Sequence, residues 1–123
     1  MRRIGFTLIE LIVVMVIIAM LLTLAAPRYF RSVERSKEAV LKESLHVMRD
    51  AVDKYYADTG KYPERLEVLA AARYLRKVPL DPVTDSTETW VVIPPADPQK
   101  GGVYDIRSGA QRVGMDGKPY SEW

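Results

Sequence analysis

The sequence predicts an α+β protein, a long N-terminal helix packed on a small antiparallel β-sheet head. Three observations carry that expectation. From Phe6 to Ala26 the chain is apolar for 21 residues, with Glu10 as its only charge and Thr7 and Thr23 as its other polar members. Apolar residues then recur at helical spacing as far as Tyr56. Finally, six of the eight prolines fall between Pro79 and Pro119, where short β-prone runs replace the helical pattern.

The first element follows from length. A helix of 21 residues rises about 31 Å, close to the ~30 Å hydrocarbon thickness of a bilayer. Glu10 is the informative residue within it, because an ionised side chain near the centre of such a span costs about 3 kcal/mol. One turn inside the run it can snorkel to the headgroups, but its neighbours point further. A basic pair, Arg2-Arg3, precedes Gly5; Phe6 follows the glycine; Glu10 stands four residues beyond the phenylalanine.

That arrangement resembles the class III signal of type IV pilins and type II secretion pseudopilins. The resemblance implies that a membrane-embedded prepilin peptidase cuts between Gly5 and Phe6 and N-methylates Phe6. Glu10 is then the assembly glutamate. On one helix face, Phe6 and Glu10 form an i, i+4 pair, and the new α-amine, with an ordinary pKa of roughly 7.7–8.0, supplies a cation. At an effective dielectric of ~20, a carboxylate and an amine from a neighbouring copy gain at most ~4 kcal/mol at 4 Å, before desolvation.

An ordinary secretory signal is the competing reading of residues 1–26, with Thr23-Leu24-Ala25 as a loose cleavage site. Glu10 interrupts its apolar core, and Pro27 would follow any cut at Ala26. Orientation carries an internal conflict. Arg28, Arg31, Arg35 and Lys37 follow the span and only Arg2 and Arg3 precede it, so the basic-residue count alone places the C-terminus inside. The leader resemblance implies the opposite: a bacterial inner-membrane protein with one span and a periplasmic C-terminal domain.

Beyond the span, Leu41, Leu45, Met48, Val52 and Tyr55 recur at steps of four and three, the signature of an amphipathic helix. No breaker lies between Phe30 and Asp58, so one helix is expected from about Phe6 to Asp58. Pro27 removes an N–H inside it and predicts a kink near Thr23 to Tyr29, which makes Pro27 a candidate hinge. Asp58-Thr59-Gly60 ends the helix, with Gly60 suited to the left-handed position. Pro63 opens a short second helix over Glu64 to Ala72.

Two stretches extend the resemblance toward major pseudopilins: Tyr-Tyr-Ala-Asp-Thr-Gly-Lys-Tyr-Pro at 55–63 and Tyr-Leu-Arg-Lys-Val-Pro-Leu-Asp-Pro at 74–82. Strands are expected over Thr89 to Ile93 and Val103 to Arg107, joined by a loop from Pro94 to Gly102. A third is expected near Arg112-Val113, before an Asp116-Gly117 turn. The resulting organisation is a leader (1–5), a transmembrane helix (6–26), its amphipathic continuation (27–58) and a head (59–123).

Composition limits what this head can do. Net charge is +2, and loss of Arg2 and Arg3 leaves 16 basic against 16 acidic residues, a balance that argues against a nucleic-acid binder. No cysteine is present to staple the head. No phosphate-binding loop, metal-ligand cluster or nucleophile motif occurs, so no catalytic residue is assigned and the chain reads as a non-enzyme. His46, the single histidine, reads as a surface or packing residue, and Trp90 and Trp123 as core and tail packing groups.

Calcium enters only through the resemblance, because major pseudopilins hold Ca²⁺ in a C-terminal loop. Tyr104 to Ala110 matches the start of that loop. The stretch from Gln111 to Gly117 then offers one carboxylate where the family has several, and Arg112 and Lys118 oppose a dication. Ser108 and Asp116 are the candidate ligands; otherwise Asp116 is a turn residue beside Gly117.

The expected function is a structural subunit of a type II secretion pseudopilus, a helical homo-oligomer. The partners implied are prepilin peptidase, other pseudopilins, an inner-membrane platform protein and an assembly ATPase. The alternative is a major or minor type IV pilin for motility, adhesion or DNA uptake. An unassembled single-span protein is the third reading.

Overall fold

The computed structural model describes residues 4–123. They form two compact units, Met1–Glu34 and Arg35–Trp123. Helix α1 (Leu8–Thr59) runs through both and contains Pro27. Helix α2 (Leu66–Ala71) follows, then strand β1 (Val91–Ile93) and strand β2 (Asp105–Arg107), with short 3-10 turns at Pro98–Lys100 and Tyr120–Glu122. Arg2 and Arg3 of the expected leader lie outside the described residues.

In the first unit, residues 4–25 are all exposed. This part of α1 is apolar around its whole circumference, so no side of it is distinguished as an inner face. Thr23 Oγ1 donates to the Ala19 carbonyl at 2.8 Å, the back-bond that a hydroxyl makes when apolar surroundings offer it nothing else.

The second unit has a core, and α1 supplies five of its thirteen buried residues. Leu41, Leu45, Met48, Ala51 and Val52 are buried on one stripe, at the spacing the sequence predicts. They meet Leu66, Leu69, Leu75, Trp90, Val103, Ile106, Ala110 and Tyr120. The α+β expectation therefore holds, with two strands in the sheet. β1 and β2 pair antiparallel, Val91 opposite Arg107, Val92 opposite Ile106 and Ile93 opposite Asp105.

Several boundaries differ from the sequence reading, each for a local reason. α1 begins at Leu8, not Phe6, because Thr7 caps it. α2 is shorter than predicted; Arg73 adopts a left-handed φ of 65° and the Leu69 carbonyl accepts from both Tyr74 and Leu75. Both strands begin two residues later than expected, although Tyr104 N–H still donates to the Ile93 carbonyl at 2.8 Å. Trp90 Nε1 donates to the Pro79 carbonyl at 2.8 Å, and Val103 N–H donates to the Pro63 carbonyl at 2.9 Å. The third strand is absent: Val113 makes only an isolated bridge to Pro119, whose missing N–H cannot extend a ladder.

A tyrosine cluster ties the end of α1 to the head. Tyr56 stacks on Tyr62 at 4.4 Å, Tyr62 meets Tyr104 edge-on at 5.3 Å, and Tyr55 meets Tyr74 edge-on at 5.4 Å. Tyr74 Oη donates to Asp58 Oδ2 at 2.6 Å. That hydrogen bond, followed by burial, raises the Tyr74 pKa above 10.0; burial and the neighbouring tyrosines raise that of Tyr62.

Two predictions follow from this packing. Leu45→Ala opens a cavity at a fully packed site and should lower unfolding free energy by about 2–5 kcal/mol in urea titration. The raised phenols bind protons more tightly in the folded chain, so their contribution is complete below the ordinary phenol pKa. It is lost as pH rises through the folded value. Thermal stability should therefore fall above about pH 10, and Tyr74→Phe should fall less steeply in the same scan.

Candidate functional site

The N-terminal segment is built around a reciprocal cap. Thr7 Oγ1 accepts from the Glu10 backbone N–H at 3.2 Å, and Glu10 Oε2 accepts from the Thr7 backbone N–H at 3.1 Å. The first helical bond runs from Leu11 N–H to the Thr7 carbonyl at 3.2 Å. Thr7-Leu8-Ile9-Glu10 is thus a capping box that satisfies two N–H groups otherwise left without helical partners. The carboxylate also sits at the positive end of the helix macrodipole.

This geometry corrects one expectation and adds one residue. Phe6 lies outside the helix, so Phe6 and Glu10 are not a pair on one helical face. Thr7, in sequence only a polar member of an apolar run, is the N-cap residue in the structure. The Thr-x-x-Glu spacing ahead of hydrophobic residues was the signal that identifies it.

Ile4, Gly5 and Phe6 are exposed, Phe6 at 89%. At Gly5 a side chain would meet nothing within 4 Å, and its φ is not in the left-handed range. Folding therefore places no demand for glycine there. At Gly101 the demand is evident: φ is 125° and a Cβ would strike the Tyr62 carbonyl. Pro27 lies within α1, where its missing N–H leaves the Thr23 carbonyl without its usual helical donor.

Among the described residues, Leu8–Thr59 is long and apolar enough to cross a membrane by length and composition, and none of its apolar window is buried. It is suited to membrane anchoring.

A family model described as the prokaryotic N-terminal methylation motif matches residues 1–26. Type II secretion system core protein G of Xanthomonas campestris is 27% identical over 94% of this chain and 80% of the relative. The proteins of that name from Pseudomonas aeruginosa and Klebsiella pneumoniae are each 29% identical. Those matches cover 93% and 98% of this chain, and 84% and 90% of the relatives. The chain is pilin-like and similar over most of its length to type II secretion system core protein G. No solved structure matches it significantly.

The residues offered for calcium do not fit it. Ser108 is fully buried; its hydroxyl donates to Asp81 Oδ2 at 2.6 Å and accepts from Ala110 N–H at 3.1 Å. Asp116 is exposed and caps Lys118 N–H at 3.1 Å, the turn role that Gly117 supports with a φ of 84°. Asp116 also borders a pocket of about 260 Å³ whose lining includes Lys42, Arg49 and Lys118 beside Glu122, so cations outnumber carboxylates there and oppose a dication. Among the described residues, no three His, Cys, Asp or Glu side chains are grouped to hold a metal.

Ser108 instead belongs to a structural site that the sequence reading missed. Asp81 is fully buried; it accepts from Val83 N–H at 2.8 Å as well as from Ser108, and its own N–H donates to the Ser86 carbonyl at 3.0 Å. The aspartate of the Pro-Leu-Asp-Pro stretch therefore organises the loop ahead of β1.

Thr7→Ala removes the cap and should destabilise the start of α1 by about 1 kcal/mol. Amide exchange at residues 8–11 should quicken several-fold while exchange at residues 41–52 stays unchanged. Ser108→Ala should lower head stability by about 1–3 kcal/mol in urea titration, because it strands a buried carboxylate oxygen.

Proposed function

We propose that the chain is a structural, non-catalytic subunit of a type II secretion pseudopilus, matured by prepilin peptidase and polymerised through its N-terminal helix. The observation that carries this reading is the uncovered surface of residues 4–25, whose apolar side chains have no cover from the rest of the chain. Lipid before assembly, and stacked copies of the same helix after it, supply the missing cover. The names of the relatives favour secretion over a type IV pilus, the alternative reading.

Cleavage falls at Gly5–Phe6 in this proposal. Gly5 is open on all sides and needed by nothing in the fold, so its requirement lies with a recognising enzyme. Phe6 becomes the methylated N-terminus. The capping box survives the cut, since the Phe6–Thr7 peptide bond is retained. Glu10 uses Oε2 for its cap, and an ionised carboxylate accepts several bonds. The amine of a second copy can therefore reach it without dismantling the helix start.

Pro27 serves as the hinge where the stalk leaves the membrane. The head is periplasmic, the anchor lies in the inner membrane, and a platform protein, an assembly ATPase and other pseudopilins complete the machine.

The reading is tested in cells that carry the secretion genes. Intact-mass analysis should show a chain beginning at Phe6 with one added methyl group. Glu10→Gln should accumulate in the membrane at normal levels while sheared filament yield falls about tenfold or more. A native chain that keeps Met1, or a Glu10→Gln protein that polymerises normally, refutes the proposal.

A further inference from the structure

Arg49 projects from α1 into the C-terminal half of the head. Its Nε donates to Asp105 Oδ1 at 2.9 Å, and its Nη2 donates to the Ile106 carbonyl at 2.8 Å and to the Trp123 backbone oxygen at 2.7 Å. One carboxylate and two backbone oxygens thus converge from β2 and from the final turn. Such oxygens are the ligand types that suit a hard cation. Here the cation they meet is a guanidinium, covalently part of the chain and charged at every accessible pH.

Two further residues of α1 reach the same segment. Glu38 Oε1 accepts from Met115 N–H at 2.7 Å and from Tyr120 Oη at 2.9 Å. Lys42 Nζ lies 4.9 Å from the centroid of the Trp123 ring, whose edge meets Tyr120 at 4.9 Å between centroids. Positions 38, 42, 45 and 49 share one helical face, so these grips line up beside the core residue Leu45. The half-buried setting of the Arg49–Asp105 pair, with side chains 35% and 29% exposed, screens it less than a surface ion pair.

We infer that the Arg49 guanidinium is the built-in cation that fastens the C-terminal segment to α1, so that the head keeps its fold without calcium. Residues 112–120 are fastened by Glu38 at one end of the stripe, and β2 and Trp123 by Arg49 at the other. The inference concerns the head alone and stands whether or not the chain polymerises.

Full-length protein in detergent micelles provides the test, with unfolding followed by tryptophan emission and tail opening by trypsin cleavage between Arg112 and Val113. In millimolar calcium and in excess chelator, wild-type midpoints should agree within about 1 °C, and cleavage rates should be equal. Arg49→Gln should speed cleavage after Arg112 roughly tenfold or more in both solutions, because bonds from a charged donor are lost. Arg49→Lys keeps the charge but loses the fork, and should fall between the two; it replaces Arg49→Gln if that variant does not fold. A chelator that lowers the wild-type midpoint by more than about 3 °C overturns the inference. Arg112 protected in the Arg49 variants as well as in wild type does the same.

Discussion

The apolar side chains of residues 4–25 cannot be left in water, and none of the described residues covers them. Burial of one leucine or isoleucine is worth about 1.5–3 kcal/mol, and this segment presents more than a dozen large apolar residues on every side of a helix. Lipid supplies such cover to a segment suited to membrane anchoring. Against so uniform a surface, a single acid acquires meaning by position. Glu10 sits where helix geometry already welcomes a carboxylate, at the third residue of the first turn, with Thr7 answering it.

The same helix serves two environments by a change of pattern rather than a break. Through residue 25 it is apolar all round; from Leu41 onward it is apolar on one stripe, and the head closes on that stripe. Two polar contacts then fix how the loops lie. Buried Asp81, with Ser108, orders the proline-rich approach to β1, and Arg49 with Glu38 holds the last residues against the helix. A domain with no cysteine, a sheet of two three-residue strands and short secondary structure beyond α1 has little regular backbone pairing to rely on. Side-chain hydrogen bonds to backbone groups take that role.

Similarity to type II secretion system core protein G covers nearly the whole chain, yet the tail departs where that resemblance implies a metal loop. The residues there are a turn aspartate, a hydroxyl already bonded to Asp81, and a pocket where three cationic side chains outnumber Asp116 and Glu122. A chain can conserve the architecture of its stalk while solving the closure of its tail with different chemistry, because the closure needs only positive charge and donors at the right place.

The sequence alone determined the helix, its suitability for membrane anchoring, the buried stripe from Leu41 to Val52, the left-handed Gly60 and the two strand locations. Each is a local property: hydrophobic period, run length or a turn residue, readable without knowledge of what lies opposite. The N-terminal cap was also written locally, in Thr7 and Glu10, and was hidden only because a charge in an apolar run drew the reading toward a partner in another subunit. Strand lengths, the lost third strand, the Asp81–Ser108 bond and the Arg49 grip were decided by tertiary structure. The Asp81–Ser108 and Arg49 contacts join residues 27 to 74 positions apart. No spacing rule reports which of several arginines or aspartates will face one another once the chain has closed.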